Sequence, residues 1–239
     1  MNKEQAIHRV KAYLRMGNGP HAIFAANPEK NYSLPKDRLL YETFKTADLL
    51  IPDGIGVVIA ARILHGVKLT RVPGIELMED ICGLAANGKH KVFIYGGKEE
   101  VNKSATEILR RRYPGLEIVG RSNGYVREDQ VTDLIDQMNR SKAEILFLAL
   151  GSPKQEIWFA SNRQYLENIK ICQGIGGSLD IIVGNVKRAP ETWRKYSAEW
   201  IYRLIAEPKR IKRQKVLPIF AMMLLISKLK TFLEDWGRS

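Results

Sequence analysis

The sequence predicts an α/β protein: a Rossmann-like three-layer domain on a mostly parallel sheet, followed by a helical appendage that associates with a membrane. Three observations predict it. Short apolar runs alternate with helix-period segments over the first 190 residues. The runs lack the strict two-residue alternation of a half-exposed strand, which suits a parallel sheet buried on both faces. The residues after Pro190 differ in charge and pattern from those before it. The organisation expected is therefore an α/β domain over residues 1–190 and a basic amphipathic appendage over 191–239.

Strands are expected at 21–26, 49–52, 91–95, 116–119, 145–150 and 169–175, each bounded by Pro, Gly or Asp. Helices are expected at 36–47, 55–64, 75–87, 99–112, 128–141 and 154–167. Val131, Leu134, Ile135 and Met138 illustrate the helical spacing, falling on one stripe at i, i+3, i+4 and i+7. The N-terminal segment is polar and has no apolar core of signal-peptide type, which points to the cytoplasm. Cys82 and Cys172 are too few for a disulfide framework or a Cys-based metal site, and both read as buried small hydrophobes. The four histidines show no metal-ligand spacing, so neither a metal nor a cofactor is expected.

In the appendage, Trp193, Trp200, Ile201, Leu204 and Ile205 form an apolar stripe, and Pro208 is placed to start a new helix. The basic cluster Lys209, Arg210, Lys212, Arg213 and Lys215 precedes an apolar stretch at 216–233. Twelve residues separate Lys215 from Lys228, too few to span a hydrocarbon core that needs about 20. A basic cluster beside a short apolar helix reads as an anchor on an anionic membrane surface. A helix packed on the core, or the interface of a homo-oligomer, is the alternative.

Charge divides along the same line. The chain has 38 Lys and Arg against 26 Asp and Glu, a net +12. Residues 191–239 hold 11 against 5, a net +6, and residues 1–190 hold 27 against 21, also +6. A surplus of this size implies an anionic partner, whether nucleic acid, membrane surface or phosphorylated substrate. Nucleic-acid binding would favour basic residues interleaved with aromatics. Here the basic cluster abuts an apolar helix instead, so no nucleic acid is expected.

Ligands of a doubly wound sheet bind outside the carboxyl ends of its strands. Those ends read Ala26-Asn27-Pro28-Glu29, Asp53-Gly54-Ile55-Gly56, Gly96-Gly97-Lys98, Gly151-Ser152-Pro153-Lys154-Gln155-Glu156 and Gly174-Ile175-Gly176-Gly177-Ser178-Leu179-Asp180. Small residues there admit a ligand to the backbone, and helix N-termini offer N–H groups to phosphate. A nucleotide or phosphosugar site follows, with Gly54, Gly96, Gly97, Gly176, Gly177 and Lys154 in contact with substrate. Asp53 suits a general base at the cleft mouth or a helix cap. Arg71, in Thr70-Arg71-Val72-Pro73-Gly74, suits an anion clamp or a surface site. Gln155 and Lys154 sit in a first helical turn, placed to bind a sugar or phosphate. A dinucleotide fingerprint is incomplete, because its third glycine would fall on Ile59 or Leu179. A nucleotide-dependent oxidoreductase stays the enzymatic alternative.

Together, NPE, DGIG, RVPGIELM, IYGG, GSPKQE, GIGGSLD and the run RAPETWRKYSAEWIYRLIAEPKRIKR resemble the WecG/TagA/CpsF glycosyltransferase family over roughly residues 20–215. The resemblance implies inverting, metal-independent transfer from a UDP-sugar to a saccharide on undecaprenyl diphosphate, at the inner face of the cell membrane. The typical donor is UDP-N-acetylmannosamine and the typical acceptor lipid-linked N-acetylglucosamine, in teichoic acid or exopolysaccharide synthesis. It further implies that Asp53 is the catalytic base, that Asn27 and Gln155 contact sugar and that Arg71 binds substrate. Asp180 falls where the uridine is held, and Arg203, Arg210 and Arg213 complete the site over the diphosphate. Ala25 departs from the pattern: many members carry threonine there, so a hydroxyl near the substrates is missing.

Overall fold

The computed structural model of the chain describes residues 1–195, 199–206 and 216–236. Six strands, β1 (His21–Ala26), β2 (Leu49–Pro52), β3 (Val92–Gly96), β4 (Ile118–Ser122), β5 (Ile145–Ala149) and β6 (Ile171–Gly174), form one sheet in the order β2-β1-β6-β5-β3-β4. Every pairing is parallel, so the sheet expected to be mostly parallel is wholly so among the described residues. The described helices are α1 (Lys3–Met16), α2 (Pro28–Ser33), α3 (Arg38–Lys45), α4 (Ile55–His65), α5 (Gly74–Gly88), α6 (Glu99–Arg112), α7 (Val131–Arg140), α8 (Lys154–Asn162), α9 (Ser178–Ile182), α10 (Glu191–Lys195), α11 (Glu199–Ala206) and α12 (Val216–Trp236).

Side-chain alternation sorts the strands into two cores. Ile23, Ile94, Ile145, Phe147 and Ile171 face α1, α5 and α6, whereas Phe24, Phe93, Leu146, Leu148 and Cys172 face α3, α7 and α8. Both faces are buried, which is why the strands read as continuous apolar runs. Both cysteines are fully buried, as their apolar surroundings suggested.

Several elements differ from the sequence expectation. The polar N-terminus is a core helix: Ala6, Val10, Tyr13 and Leu14 bury one stripe of α1, and Asn2 and Gln5 close a capping box at its start. The edge strand β4 runs past its apolar stretch to Ser122, with the Phe93 ring filling the space beside Gly120. The segment expected as one helix at 128–141 is a 3-10 turn at Glu128–Gln130 followed by α7. Helix α8 stops at Asn162, where Arg163 turns its guanidinium over the Phe159 ring and donates to the Pro20 carbonyl.

The stripe from Trp193 to Ile205 is divided between α10 and α11, whose Trp193 and Tyr202 rings lie 6.0 Å apart. Pro208 and the basic cluster at 209–215 lie outside the described residues. Helix α12 carries Pro218 in its first turn, where no backbone donor is lost. It packs against α2 and α4, with the Phe220 ring beside Gly56. Helix α4 is apolar from Ile55 to Ala61 yet buries no residue, leaving Ile59 and Ile63 exposed, and Met222, Leu225 and Leu229 of α12 are exposed as well. No helix among the described residues is long and apolar enough to cross a membrane.

Candidate active site

The carboxyl ends of β2, β1 and β6 bring the sequence-nominated polar residues together. Asn27 ends β1 and caps α2: its Oδ1 accepts the Lys30 backbone N–H at 3.0 Å. Its side-chain NH₂ has no protein partner among the described residues. Asp53 follows β2 in parallel register with Asn27, its backbone N–H donating to the Ala26 carbonyl at 3.1 Å. The Asp53 side chain is one-third exposed, and Gly54 beside it starts α4 in contact with Asn27 and Pro28.

Arg71 reaches Asp53 from the segment before α5. Its Nε donates to the Asp53 carbonyl at 2.7 Å, and its Nη2 lies 3.9 Å from the Asp53 carboxylate. The same Nη2 donates to Glu199 at 2.7 Å. Glu199 opens α11, and its side chain is only 6% exposed, so the appendage meets the strand ends through a part-buried ion pair. A guanidinium fork is suited to hold two such acceptors in a fixed orientation.

Gln155 comes from the first turn of α8. Its Nε2 lies against Gly174, where any Cβ would collide with it, and its Oε1 accepts the Gly176 N–H at 3.0 Å. Behind Asn27 and Gln155 runs a buried ion pair, Lys30 Nζ to Glu156 Oε1 at 2.6 Å. Lys154 is exposed in the same turn of α8, and Asp180 lies in α9, where it accepts a 3.3 Å hydrogen bond from Asn185.

The other half of the sheet ends in backbone rather than charge. The connections of β3 and β5 leave in opposite directions, making a crevice at their carboxyl ends. Gly96 holds φ at +125°, and a Cβ there would run into the Ala149 backbone, a conformation and spacing that exclude a side chain. Gly97 donates its N–H to the Ala149 carbonyl, and Gly124 donates to Gly97. The buried Asn102 donates to the carbonyls of Gly96 and Ser122, tying the ends of β3 and β4. Gly176 and Gly177 border open space. On the rim, a hydrogen bond from Arg121 first, then one from Asn123, holds the Glu99 carboxyl below its usual range.

The structure thus gathers Asn27, Asp53, Gly54, Arg71, Gln155 and Gly176 around three strand ends, and sets Gly96 and Gly97 at the neighbouring crevice. Arg203 falls on α11 with its side chain outside the described residues, and Arg210 and Arg213 lie outside them altogether. Sequence reasoning missed Lys30, Glu156 and Glu199. Each is charged and sits in a helical first turn, where the sequence signal is that of a solvated residue.

An all-parallel sheet with acid, amide and guanidinium groups beside glycine turns at its carboxyl edge is the architecture of an α/β enzyme acting on a phosphate-bearing or nucleotide-linked substrate. Comparison with known proteins gives the class: the chain belongs to the glycosyl transferase WecG/TagA/CpsF family, whose model matches residues 1–233. It is 36% identical over 203 residues to the N-acetylglucosaminyldiphosphoundecaprenol N-acetyl-beta-D-mannosaminyltransferase of Bacillus subtilis (strain 168), covering 85% of this chain and 78% of the relative. It is 33% identical over 218 residues to the protein of the same name in Bacillus spizizenii, covering 91% and 83%. The Staphylococcus aureus (strain MRSA252) protein of that name is 36% identical over 209 residues, covering 87% and 81%. The chain is a glycosyltransferase.

Proposed function

We propose that the protein transfers N-acetylmannosamine from its UDP derivative to N-acetylglucosamine carried on undecaprenyl diphosphate, with inversion and without a metal ion. The observation that carries the reading is the convergence of Asp53, Arg71 and Glu199, which places an appendage residue against an acid and a cation at the strand ends. Similarity to the three mannosaminyltransferases supports the acceptor and the sugar.

In this mechanism Asp53 takes the proton of the acceptor hydroxyl as that oxygen bonds to the anomeric carbon from the face opposite UDP. The bond to the diphosphate oxygen breaks, and UDP departs with both bonding electrons. Asn27 and Gln155 hold the sugar through their amides. Arg71, joined by Arg203, Arg210 and Arg213 of the appendage, offsets the charge that develops on the leaving diphosphate. Gly96 and Gly97 admit the nucleotide to the backbone, and Asp180 binds the uridine.

The basic run at 209–215 and the apolar face of α12 dock the enzyme on the anionic inner leaflet as a peripheral protein, and docking seats the appendage over the cleft. A panel of UDP-sugars with lipid-linked N-acetylglucosamine in EDTA, read by UDP release, tests the reading. Turnover is expected with UDP-N-acetylmannosamine, giving a β-linked product. Absence of UDP release with every donor, or activity that EDTA abolishes and a divalent cation restores, overturns it. Co-sedimentation with anionic but not neutral vesicles, lost on removing residues 209–239, tests the docking.

A further inference from the structure

The buried ion pair beside Asn27 and Gln155 has no part in the chemistry above, and its geometry suggests one. Lys30 stands three residues into α2, its side chain 9% exposed and its Nζ 5.1 Å from the centre of the Phe44 ring. Glu156 is fully buried. One oxygen of Glu156 takes two donors, Lys30 Nζ at 2.6 Å and Gln155 Nε2 at 3.1 Å. The other oxygen is buried with no protein partner. Burying two charges costs more than an apolar pair of the same volume would, and an unsatisfied carboxylate oxygen adds to the cost. Stability is therefore a poor reason for the arrangement.

Its connections supply a better one. The backbone N–H of Lys30 fixes Asn27 by holding Oδ1, which leaves the NH₂ end for a ligand. Glu156 fixes Gln155 by holding Nε2 while the Gly176 N–H holds Oε1. A single chain of contacts thus runs from Asn27 at the end of β1 through Lys30 and Glu156 to Gln155 after β5, joining segments 126 residues apart.

We propose that Lys30 and Glu156 are positioning residues: their buried pair sets the spacing and orientation of the Asn27 and Gln155 amides that hold the transferred sugar. The proposal rests on the sugar-binding role assigned to those amides under the proposed function. The sugar, rather than the nucleotide, is what the pair serves. A displacement of about 1 Å at such contacts costs up to about 10²-fold in rate.

The test is the double variant Lys30→Met/Glu156→Gln, which removes both charges at nearly constant shape and leaves neither one stranded. Calorimetry with UDP and with UDP-N-acetylmannosamine reads the contribution of the sugar as the difference between them. The double variant is expected to bind UDP as the native protein does and to lose about tenfold in affinity for the UDP-sugar. Its kcat is expected to fall about 10- to 100-fold while its melting temperature stays near native. Equal losses for the two ligands, or native turnover in the folded double variant, would overturn the proposal and leave the pair as a plain structural staple.

If the double variant does not fold, Lys30→Arg replaces a point charge by a wider fork in the same space. The sugar contribution should then drop several-fold, and an unchanged contribution counts against the proposal. Nitrogen-15 spectra of the side-chain amides, assigned through Asn27→Asp and Gln155→Glu, separate this proposal from the functional one. Should the native protein bind no UDP-sugar, the functional reading fails. The pair's hold on both amides is then still read as shifted or broadened signals in the double variant, and unshifted signals refute it.

Discussion

The two halves of the sheet end differently. The half built on β2, β1 and β6 gathers charged and amide side chains held by two ion pairs away from bulk solvent, Arg71 to Glu199 part-buried and Lys30 to Glu156 buried. The half built on β5, β3 and β4 offers glycine backbone at its own strand ends, lends Gln155 and Glu156 of α8 after β5 to its neighbour, and has its nearest other ion pair, Glu99 to Arg121, at the surface. Screened surface pairs hold little in place, whereas desolvated ones fix geometry at a cost in stability. The difference teaches that one edge of one sheet offers two surfaces, rigid side chains at one half and open backbone at the other, which the proposed function assigns to the reacting bonds and to the nucleotide.

If that division is right, the largest effect belongs to the charged half. Asp53→Asn should lower turnover by about 10²- to 10⁴-fold, the range of a lost general base, with UDP-sugar affinity nearly unchanged. Steady-state kinetics and calorimetry on one preparation read both quantities. Retained turnover would assign the base elsewhere and break the contrast between the halves. Arg71→Lys should cost about 10- to 100-fold in kcat, because an ammonium cannot hold the Asp53 carbonyl and the Glu199 carboxylate as a fork does. A variant with native kcat would reduce Arg71 to a generic positive charge.

The glycine half should fail through stability instead. Gly96→Ala forces a Cβ against the Ala149 backbone at a φ of +125°. It should destabilise the fold by about 2 kcal/mol, read by urea unfolding, within the range for strained backbone. Whatever protein stays folded should keep its kcat at saturating donor. A fall in kcat without a fall in stability would place chemistry, not room, at the β3 and β5 ends.

How much of this was legible in the sequence depends on what each residue needed in order to be recognised. Asn27, Asp53, Gly96 and Gln155 sit where an apolar run meets a Gly, Pro or Asp turn, and such junctions mark strand ends in any order of strands. The apolar runs gave the parallel sheet for the same reason, since both of its faces are buried. Helix α1 escaped notice because its buried stripe of Ala6, Val10, Tyr13 and Leu14 is interrupted by Lys3, Arg9, Lys11 and Arg15 along the chain, so the segment reads as polar. Lys30, Glu156 and Glu199 escaped because a charge in a first helical turn looks the same whether water or a partner 126 or 128 residues away neutralises it. Only the fold brings those partners together: β6 enters the sheet between β1 and β5, which sets Glu156 against Lys30, and α11 returns to the segment before α5, where Arg71 lies.

The smallest effect concerns the packing under the charged half, where both thiols lie: Cys82 in α5 and Cys172 in β6. Burial first, then the nearby Glu79 carboxylate, raises the Cys82 pKa from 9.0 to about 12. Burial first, then Glu156, raises that of Cys172 well above 9.0. A group whose folded pKa is raised stabilises the fold fully below its unfolded pKa, and the contribution is lost as pH rises through the folded one. For Cys82 the window therefore runs from pH 9.0 to about 12. Unfolding free energy should fall by about 1.4 kcal/mol between pH 8 and pH 10 on its account, one pKa unit's worth. Urea titrations at the two pH values, with Cys82→Ala as the control that removes this share of the slope, measure it. Both thiols should also resist Ellman's reagent at pH 8 until the chain unfolds. A thiol that reacts in the native protein would mean that the β2-β1-β6 half opens on its own, and rigid support for the charged site would be lost as an explanation of its buried ion pairs.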